Sequence, residues 1–200
     1  FQVFRVRLVG IIDLLLRILR DEPGFRYFLL DGQTALLEDY AEIAGDRVAE
    51  LRERIREGRI LSGPWYVLPD EFLAGGEALV RNLMIGREVG ADYGPIMNVG
   101  YQPDAFGHIA QLPQILRGFG IDSAVVWRGV PGEVHSSEFC WRAPDGSQVL
   151  AICMPFSYAN AVVLPVEPDQ LQARLTHIRE RLQPWATTHN LLLMNGGDHV

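Results

Sequence analysis

Short apolar segments alternate with amphipathic segments along the whole chain, and this alternation limits the folds that are open to it. The predicted strands are residues 26–30, 64–68, 96–101, 122–127, 138–142, 148–154 and 190–194. The predicted helices are residues 3–20, 35–43, 46–57, 77–89, 108–117 and 168–182. Parallel strands need long crossover connections, usually helices, and strands covered on both faces read as continuous apolar runs. The pattern predicts an α/β fold with a parallel sheet, either open or closed into a barrel.

Composition excludes several classes of protein. Hydrophobic residues make up 48% of the 200 residues and charged residues 22%, which is typical of a globular chain that buries a core. No uncharged apolar run approaches the roughly 20 residues that a membrane-spanning helix needs. A net charge of −7 without a basic cluster argues against nucleic acid and anionic lipid as partners.

Two cysteines, Cys140 and Cys153, are too few for a disulfide framework, although a hairpin could bring them face to face. We expect buried free thiols, and therefore a cytoplasmic protein. The chain begins at Phe1 without a methionine and stops at Val200 directly after a polar turn. We therefore expect a segment of a longer protein.

Ionisable residues follow nearly every predicted strand. In chain order they are Asp31, Asp70 with Glu71, Asp104, Arg128, and Asp198 with His199. In open sheets and barrels alike, ligands bind at the carboxyl ends of parallel strands. A rim rich in carboxylates suits sugar hydroxyls, a metal ion, or both. Taken singly, each residue also fits a helix cap, a turn or a solvated charge.

His108 lies one helical turn after Asp104. The Asp-x-x-x-His spacing fits a pair of metal ligands. It fits equally well a histidine that caps the following helix or that supports the site without touching a metal.

The segment GYQPDAFGHIAQLPQIL at 100–116 resembles the segment around the catalytic nucleophile of the glycoside hydrolase family 38 α-mannosidases. Other stretches are similar to the bacterial branch of that family. They are LDGQTALLEDY at 30–40, GPWYVLPDE at 63–71, VVWRGV at 125–130, FCWRAPDG at 139–146 and LLLMNGGDHV at 191–200. The likeness covers essentially the whole chain in the right order.

The resemblance implies a catalytic domain built as a seven-stranded parallel β/α barrel. Residues 1–200 would form part of that single domain, with the first strand and the C-terminal remainder outside them. It implies a retaining α-mannosidase in the cytoplasm of a bacterium, which acts on a mannose-containing oligosaccharide or mannosyl conjugate. Its cofactor would be zinc, with another divalent cation as the alternative. A homo-oligomer stays open.

The resemblance also assigns roles to individual residues. Asp104 matches the nucleophile, which in the family is also a zinc ligand, and Asp198 matches the general acid/base. The family's His-x-Asp metal motif is absent from this sequence, so Asp104 is the one metal ligand that the resemblance identifies here. The expected substrate-binding residues are Arg128, beside the nucleophile, together with Tyr158, Asn160, Asp70 and Asp31.

Two other interpretations remain. One is a metal-dependent carbohydrate deacetylase on a similar barrel, against which the lack of His-x-x-x-His pairs argues. The other is a non-catalytic carbohydrate-binding or degenerate barrel domain. We expect residues 1–200 alone to bind zinc poorly and to have little activity.

Overall fold

The computed structural model describes residues 2–197. The chain divides into two compact units. The first consists of the residues up to Pro69 together with Ala74–Asn98, and the second of Asp70–Leu73 together with the residues from Val99 onward.

The first unit is mainly helical. Its helices are α1 (Gln2–Asp21), α2 (Ala35–Ile43), α3 (Val48–Arg56) and α4 (Gly76–Ala91), with a short 3₁₀ turn at Gly45–Arg47 before α3. Two short strands, β1 (Phe28–Leu29) and β2 (Ile60–Leu61), pair in parallel with Phe28 opposite Ile60. The predicted helices at 3–20, 35–43 and 77–89 are confirmed to within two residues at each end.

Apolar residues at helical spacing build the core of this unit. Ile12 of α1, Leu37 of α2 and Leu51 of α3 are fully buried, each on the face that its neighbours three and four residues away share. Helix α1 is 20 residues long, yet no helix within residues 2–197 combines the length and apolarity needed to cross a bilayer.

The second unit contains a four-stranded sheet. Its strands are β3 (Gly100–Gln102), β4 (Ser123–Val126), β5 (Glu138–Arg142) and β6 (Gln148–Cys153), in the spatial order β3-β4-β6-β5. Strands β3, β4 and β6 are parallel, and α5 (Leu112–Gly118) lies in the crossover from β3 to β4. Strands β5 and β6 form the predicted antiparallel hairpin, and α6 (Pro168–Leu182) matches the predicted helix.

The predicted strand at 64–68 is wrong. Pro64 has no N–H to give to a ladder, and the N–H groups of Tyr66 and Val67 donate to the side-chain Oδ1 of Asn82 at 2.7 and 3.2 Å. Only Trp65 makes an isolated parallel bridge, to Gln33. The strand of this region is β2, a few residues earlier, which the apolar pattern did not reveal.

The predicted strand at 190–194 is also wrong within the described residues. Backbone groups of Leu192 and Met194 bond to the turn at 158–161 instead of to a neighbouring strand. Ala161 N–H donates to Met194 O at 2.8 Å, and Asn160 Oδ1 accepts from Met194 N–H at 2.8 Å.

The α/β class is confirmed, whereas the seven-stranded parallel barrel is not. Residues 2–197 hold a two-stranded and a four-stranded sheet, and one edge strand of the larger sheet, β5, runs antiparallel. Two segments expected as barrel strands, 64–68 and 190–194, form hydrogen bonds with side chains and a turn instead.

Both cysteines are free thiols, as predicted. Cys140 pairs with Leu150 in the β5–β6 register, and Cys153 lies beyond the last paired residue of that hairpin. The two cysteines are therefore not cross-strand partners in this hairpin. Burial raises the pKa of the Cys153 thiol, which keeps it protonated and unreactive, whereas Cys140 is exposed and not buried as expected.

The packing of α4 predicts a strong effect of Gly86→Ala. A Cβ at Gly86 would lie 2.4 Å from the backbone atoms of Pro64, Trp65 and Tyr66, so the helix would have to move. We expect the free energy of unfolding to fall by about 3 kcal/mol or more in urea titrations.

Gly76→Ala, in the first turn of the same helix, is the matched control. A Cβ there meets nothing within 4 Å, and helix propensity favours alanine by up to about 1 kcal/mol. Equal stability of the two variants would contradict the close approach of α4 to residues 64–66.

Glu138 at the start of β5 predicts a pH dependence of stability. The Thr187 backbone N–H donates to its Oε2 at 2.9 Å, and hydroxyl groups of Ser137, Thr187 and Thr188 also donate to the carboxylate. These bonds, the Thr187 N–H foremost, lower the pKa of Glu138 from 4.5. The stabilisation is thus complete above pH 4.5 and is lost as the pH falls through the lowered pKa.

We expect Glu138→Gln to flatten the acid limb of the stability profile, measured by urea unfolding from about pH 5 down to about pH 3. Glu133→Gln, at an exposed position, is the control and should follow the parent. Parallel profiles for Glu138→Gln and the parent would show that the four donors do not hold this carboxylate.

Candidate active site

The register of β3 and β4 places Asp104 beside Arg128. Gln102 and Val126, the last residues of the two strands, are paired in the parallel ladder. Asp104 and Arg128 each lie two residues beyond that pair, so they continue the same register past the carboxyl edge of the sheet. This is the edge at which ligands bind to parallel sheets.

The two side chains meet in an ion pair. Arg128 Nη2 lies 2.8 Å from Asp104 Oδ1, and the two side chains are 37% and 39% exposed. The contact is not aligned as a hydrogen bond, and Oδ1 is buried without an aligned donor. The exposure of Asp104 therefore belongs to its other side-chain atoms, which include Oδ2.

Two aromatic rings hold the Arg128 guanidinium. Its central carbon lies 4.1 Å from the ring centroid of Trp127 and 4.6 Å from that of Phe106. A cation stacked on an aromatic face gains about 0.5–2 kcal/mol, more where water is excluded. Since Phe106 belongs to the loop of Asp104, this contact ties the two loops together. The stacking could not be predicted from the sequence, because it depends on how the two loops meet.

The loop after Asp104 is irregular, and contacts with neighbouring segments fix it. Glu71 is 1% exposed. Its Oε1 lies 2.7 Å from His108 Nδ1, and its Oε2 accepts from the Ile109 N–H at 2.8 Å. The sequence indicated Glu71 only as one more acid after a predicted strand, and left three roles open for His108. The structure places His108 before α5, where it contacts Glu71.

Tyr158 and Asn160, two further predicted sugar contacts, belong to the segment that follows β6. The Tyr158 ring meets Trp127 edge-on, with centroids 5.1 Å apart. Asn160 is 8% exposed. Its Nδ2 donates to Pro155 O and Leu192 O at 3.3 and 3.2 Å, and its Oδ1 accepts from the Met194 N–H. The amide of Asn160 is thus engaged with backbone, while Tyr158 stands against the aromatic residue next to Arg128.

Of the three remaining predicted acids, the structure describes Asp31 and Asp70. Asp31 belongs to the first unit, has a positive φ of 43°, and accepts from Gln33 Nε2 at 3.2 Å. Asp70 belongs to the second unit and its Oδ1 accepts from the Phe72 N–H at 3.3 Å, as in a turn. Asp198 lies outside the described residues. The structure thus brings Asp104 and Arg128 together. The sugar contacts of Asp31 and Asp70, and the role of Asp198 as general acid/base, stay predictions.

An aromatic groove of about 300 Å³ begins at Trp127. It lies between the segments that follow β4 and β6, and His135, Phe156 and Trp185 contribute rings to its walls. Small-molecule sites have volumes from about 300 Å³ upward and are lined mainly by apolar and aromatic groups. The groove is therefore large enough for one sugar-sized group.

A metal site is supported by one residue of the described part. The buried Oδ1 of Asp104 has no aligned donor and is a hard oxygen suited to a divalent cation. Within residues 2–197, however, no three His, Cys, Asp or Glu side chains are grouped to hold a metal ion.

Comparison with known proteins reveals close relatives. The chain is 40% identical over 212 aligned positions to the "Putative mannosylglycerate hydrolase" of Halalkalibacterium halodurans, covering 100% of the chain and 24% of that protein. It is 29% identical over 157 positions to alpha-mannosidase 2C1 of Mus musculus, covering 75% of the chain and 14% of the relative.

A crystal structure of an alpha-mannosidase from Enterococcus faecalis V583 matches the whole chain with a TM-score of 0.95 at 30% identity, over 23% of that protein. The chain thus spans about a quarter of the length of these bacterial relatives. Residues 3–200 match the family model described as "Glycosyl hydrolases family 38 N-terminal domain". The predicted family is therefore confirmed: this chain belongs to the N-terminal domain of glycosyl hydrolase family 38.

Proposed function

We propose that the complete protein containing this chain is a retaining α-mannosidase with Asp104 as its nucleophile. The observation that carries the proposal is the Asp104–Arg128 pair at the carboxyl edge of the parallel strands. Family membership and the names of the relatives support a glycoside hydrolase that acts on mannosides.

In the first step Asp104 attacks the anomeric carbon of the mannoside. A bond forms between that carbon and a carboxylate oxygen, while the bond to the leaving oxygen breaks and Asp198 protonates that oxygen. Oδ2 is the better placed attacking atom, because Oδ1 is buried against Arg128. The product of this step is a glycosyl ester on Asp104.

In the second step water releases the sugar. Asp198, now a carboxylate, takes a proton from a water molecule whose oxygen attacks the anomeric carbon. The ester bond to Asp104 breaks, and the sugar leaves with its original configuration. Retaining enzymes hold their two carboxyl groups about 5–5.5 Å apart. We therefore expect this separation between the carboxyl groups of Asp104 and Asp198.

Arg128 positions the nucleophile. Contacts of its guanidinium with the rings of Trp127 and Phe106 help to hold it beside Asp104. Its positive charge stabilises the attacking carboxylate, while the imperfect alignment of the ion pair leaves the carboxylate less strongly held than a bidentate pair would.

Zinc is the cofactor that we propose, with Asp104 as one ligand. A bound zinc ion would act as a Lewis acid on sugar hydroxyl oxygens. The residues that the structure describes contain no group of three such ligands.

The substrate is a mannosyl conjugate whose leaving group extends beyond the sugar. A relative at 40% identity is named for mannosylglycerate, which makes that small anionic conjugate the first candidate. Free mannosyl oligosaccharides are the second, in keeping with relatives named alpha-mannosidase.

Replacing the nucleophile tests the proposal. We expect Asp104→Asn in the complete protein to lower kcat on an aryl α-mannoside by at least about 10³-fold, because the amide cannot form the glycosyl ester. Asp122→Asn is the matched control, since Asp122 precedes β4 at its opposite, amino end and is exposed. It should keep parent turnover.

Two results would contradict the proposal. One is parent-like turnover by Asp104→Asn. The other is a β-configured first product in NMR spectra of the parent reaction, which would mean inversion.

Metal analysis tests the cofactor separately. We expect one zinc ion per chain in the complete protein, and zinc affinity weakened at least about tenfold in Asp104→Ala. Elemental analysis of the purified parent measures the stoichiometry, and competition with a chromogenic zinc chelator measures the affinity, both without an activity assay. A metal-free parent, or unchanged zinc binding in Asp104→Ala, would contradict the assignment.

A further inference from the structure

The loop that carries the proposed nucleophile has no backbone ladder to hold it. Asp104 to Ile109 lie between β3 and α5, outside any helix or strand. Backbone of this kind keeps one conformation only where side chains and close packing restrain it. A nucleophile needs such restraint, because a displacement of about 1 Å can lower a rate 10²-fold.

Glu71 supplies the restraint on one side. Its side chain is 0% exposed, and that of His108 is 6% exposed. Both carboxylate oxygens are directed to the loop, one to His108 Nδ1 at 2.7 Å and one to the Ile109 N–H at 2.8 Å. Burying a carboxylate is costly unless both oxygens find donors, so the loop conformation and the burial of Glu71 depend on each other.

Close backbone packing restrains the other side. A Cβ at Gly107 would lie 2.1 Å from the ring of Phe72, next to Glu71, and a Cβ at Gly129 would lie 2.7 Å from the Gly107 Cα. The loop is therefore pressed between Phe72 and the residue that follows Arg128. We therefore expect a shift of His108 to press Gly107 against Gly129 and so to change the distance between Asp104 and Arg128.

The two ring nitrogens of His108 differ in their surroundings. Among the described residues, Nε2 is buried and has no hydrogen-bond partner, and the ring packs edge-on against Trp141 with centroids 5.3 Å apart. Within the described part, the hydrogen bonding of the imidazole is thus confined to Nδ1, which donates to the Glu71 carboxylate.

We propose that Glu71 and His108 form a positioning pair that sets the nucleophile Asp104 against Arg128 through the Nδ1–carboxylate bond. The inference rests on the proposed function, and it assigns neither residue a contact with substrate. It takes up the third role that the sequence left open for His108, support of the site without metal binding.

Two substitutions at His108 separate positioning from simple filling of space. Asparagine keeps a donor where Nδ1 lies, whereas glutamine places its amide near Nε2 and leaves Glu71 Oε1 unpaired. In the complete protein we expect His108→Asn to keep kcat on an aryl α-mannoside within about tenfold, and His108→Gln to lose about 100-fold, with KM changed less than about threefold in both.

Matched controls and a second pair of variants guard against misfolding. His177→Asn and His177→Gln, at an exposed position on α6, should both behave as the parent. Glu71→Gln keeps an acceptor for the Ile109 N–H, so it should lose less kcat than Glu71→Ala. Rates are compared after correction for the folded fraction, taken from thermal unfolding.

A crystal structure of each His108 variant gives a readout independent of activity. The 2.8 Å contact between Arg128 and Asp104 should persist in His108→Asn and lengthen in His108→Gln. Equal kcat in the two His108 variants, or an unchanged contact in His108→Gln, would overturn the inference. If Asp104→Asn keeps parent turnover, the proposed function fails instead, whatever the His108 variants do.

Discussion

The parallel pairing of β3 with β4 is the constraint on which the site depends. Backbone hydrogen bonds fix the register, with Gln102 opposite Val126, and a slip of one residue would turn every side chain to the other face. Because the chain leaves both strands in the same direction, Asp104 and Arg128 emerge side by side. The Asp104 carboxylate and the Arg128 guanidinium thus meet just beyond the end of the ladder, although neither residue belongs to a helix or strand.

Beyond the ladder, order comes from packing and from a few charged contacts. The Arg128 guanidinium contacts rings from both loops, and the glycines at 107 and 129 let the two backbones approach. On the far side, the buried Glu71 accepts from His108 and Ile109. Each contact restrains a segment that secondary structure leaves unrestrained, so the accuracy of the site rests on tertiary contacts.

Elements defined by local pattern could be predicted from the sequence. The helices Ala35–Ile43 and Pro168–Leu182 have the predicted bounds, because apolar spacing and terminating residues specify them within one segment. The hairpin of β5 and β6 follows from a turn sequence between two short strands. Asp104 and Arg128 were singled out for the same reason, since each stands just after an apolar strand.

Features that depend on distant partners could not be predicted. Residues 64–68 have a strand-like pattern, but two of their N–H groups donate to the Asn82 side chain instead of to a neighbouring strand. No residue within 64–68 indicates that Asn82 would be the acceptor. Residues 190–194 are likewise held by Asn160 and the turn around it. The contact of Glu71 with His108 joins positions 37 residues apart, so spacing along the chain gave no sign of it.

The most direct test of the account is to trap the glycosyl ester on the enzyme. A 5-fluoro-mannosyl fluoride forms such an ester quickly and releases it slowly. We expect the complete protein to gain the mass of one fluoromannosyl group, and fragmentation of the tryptic peptide spanning residues 88–117 to locate it on Asp104. A label on any other residue, or complete turnover of a mannoside without a trapped ester, would contradict the assignment of Asp104 as the nucleophile.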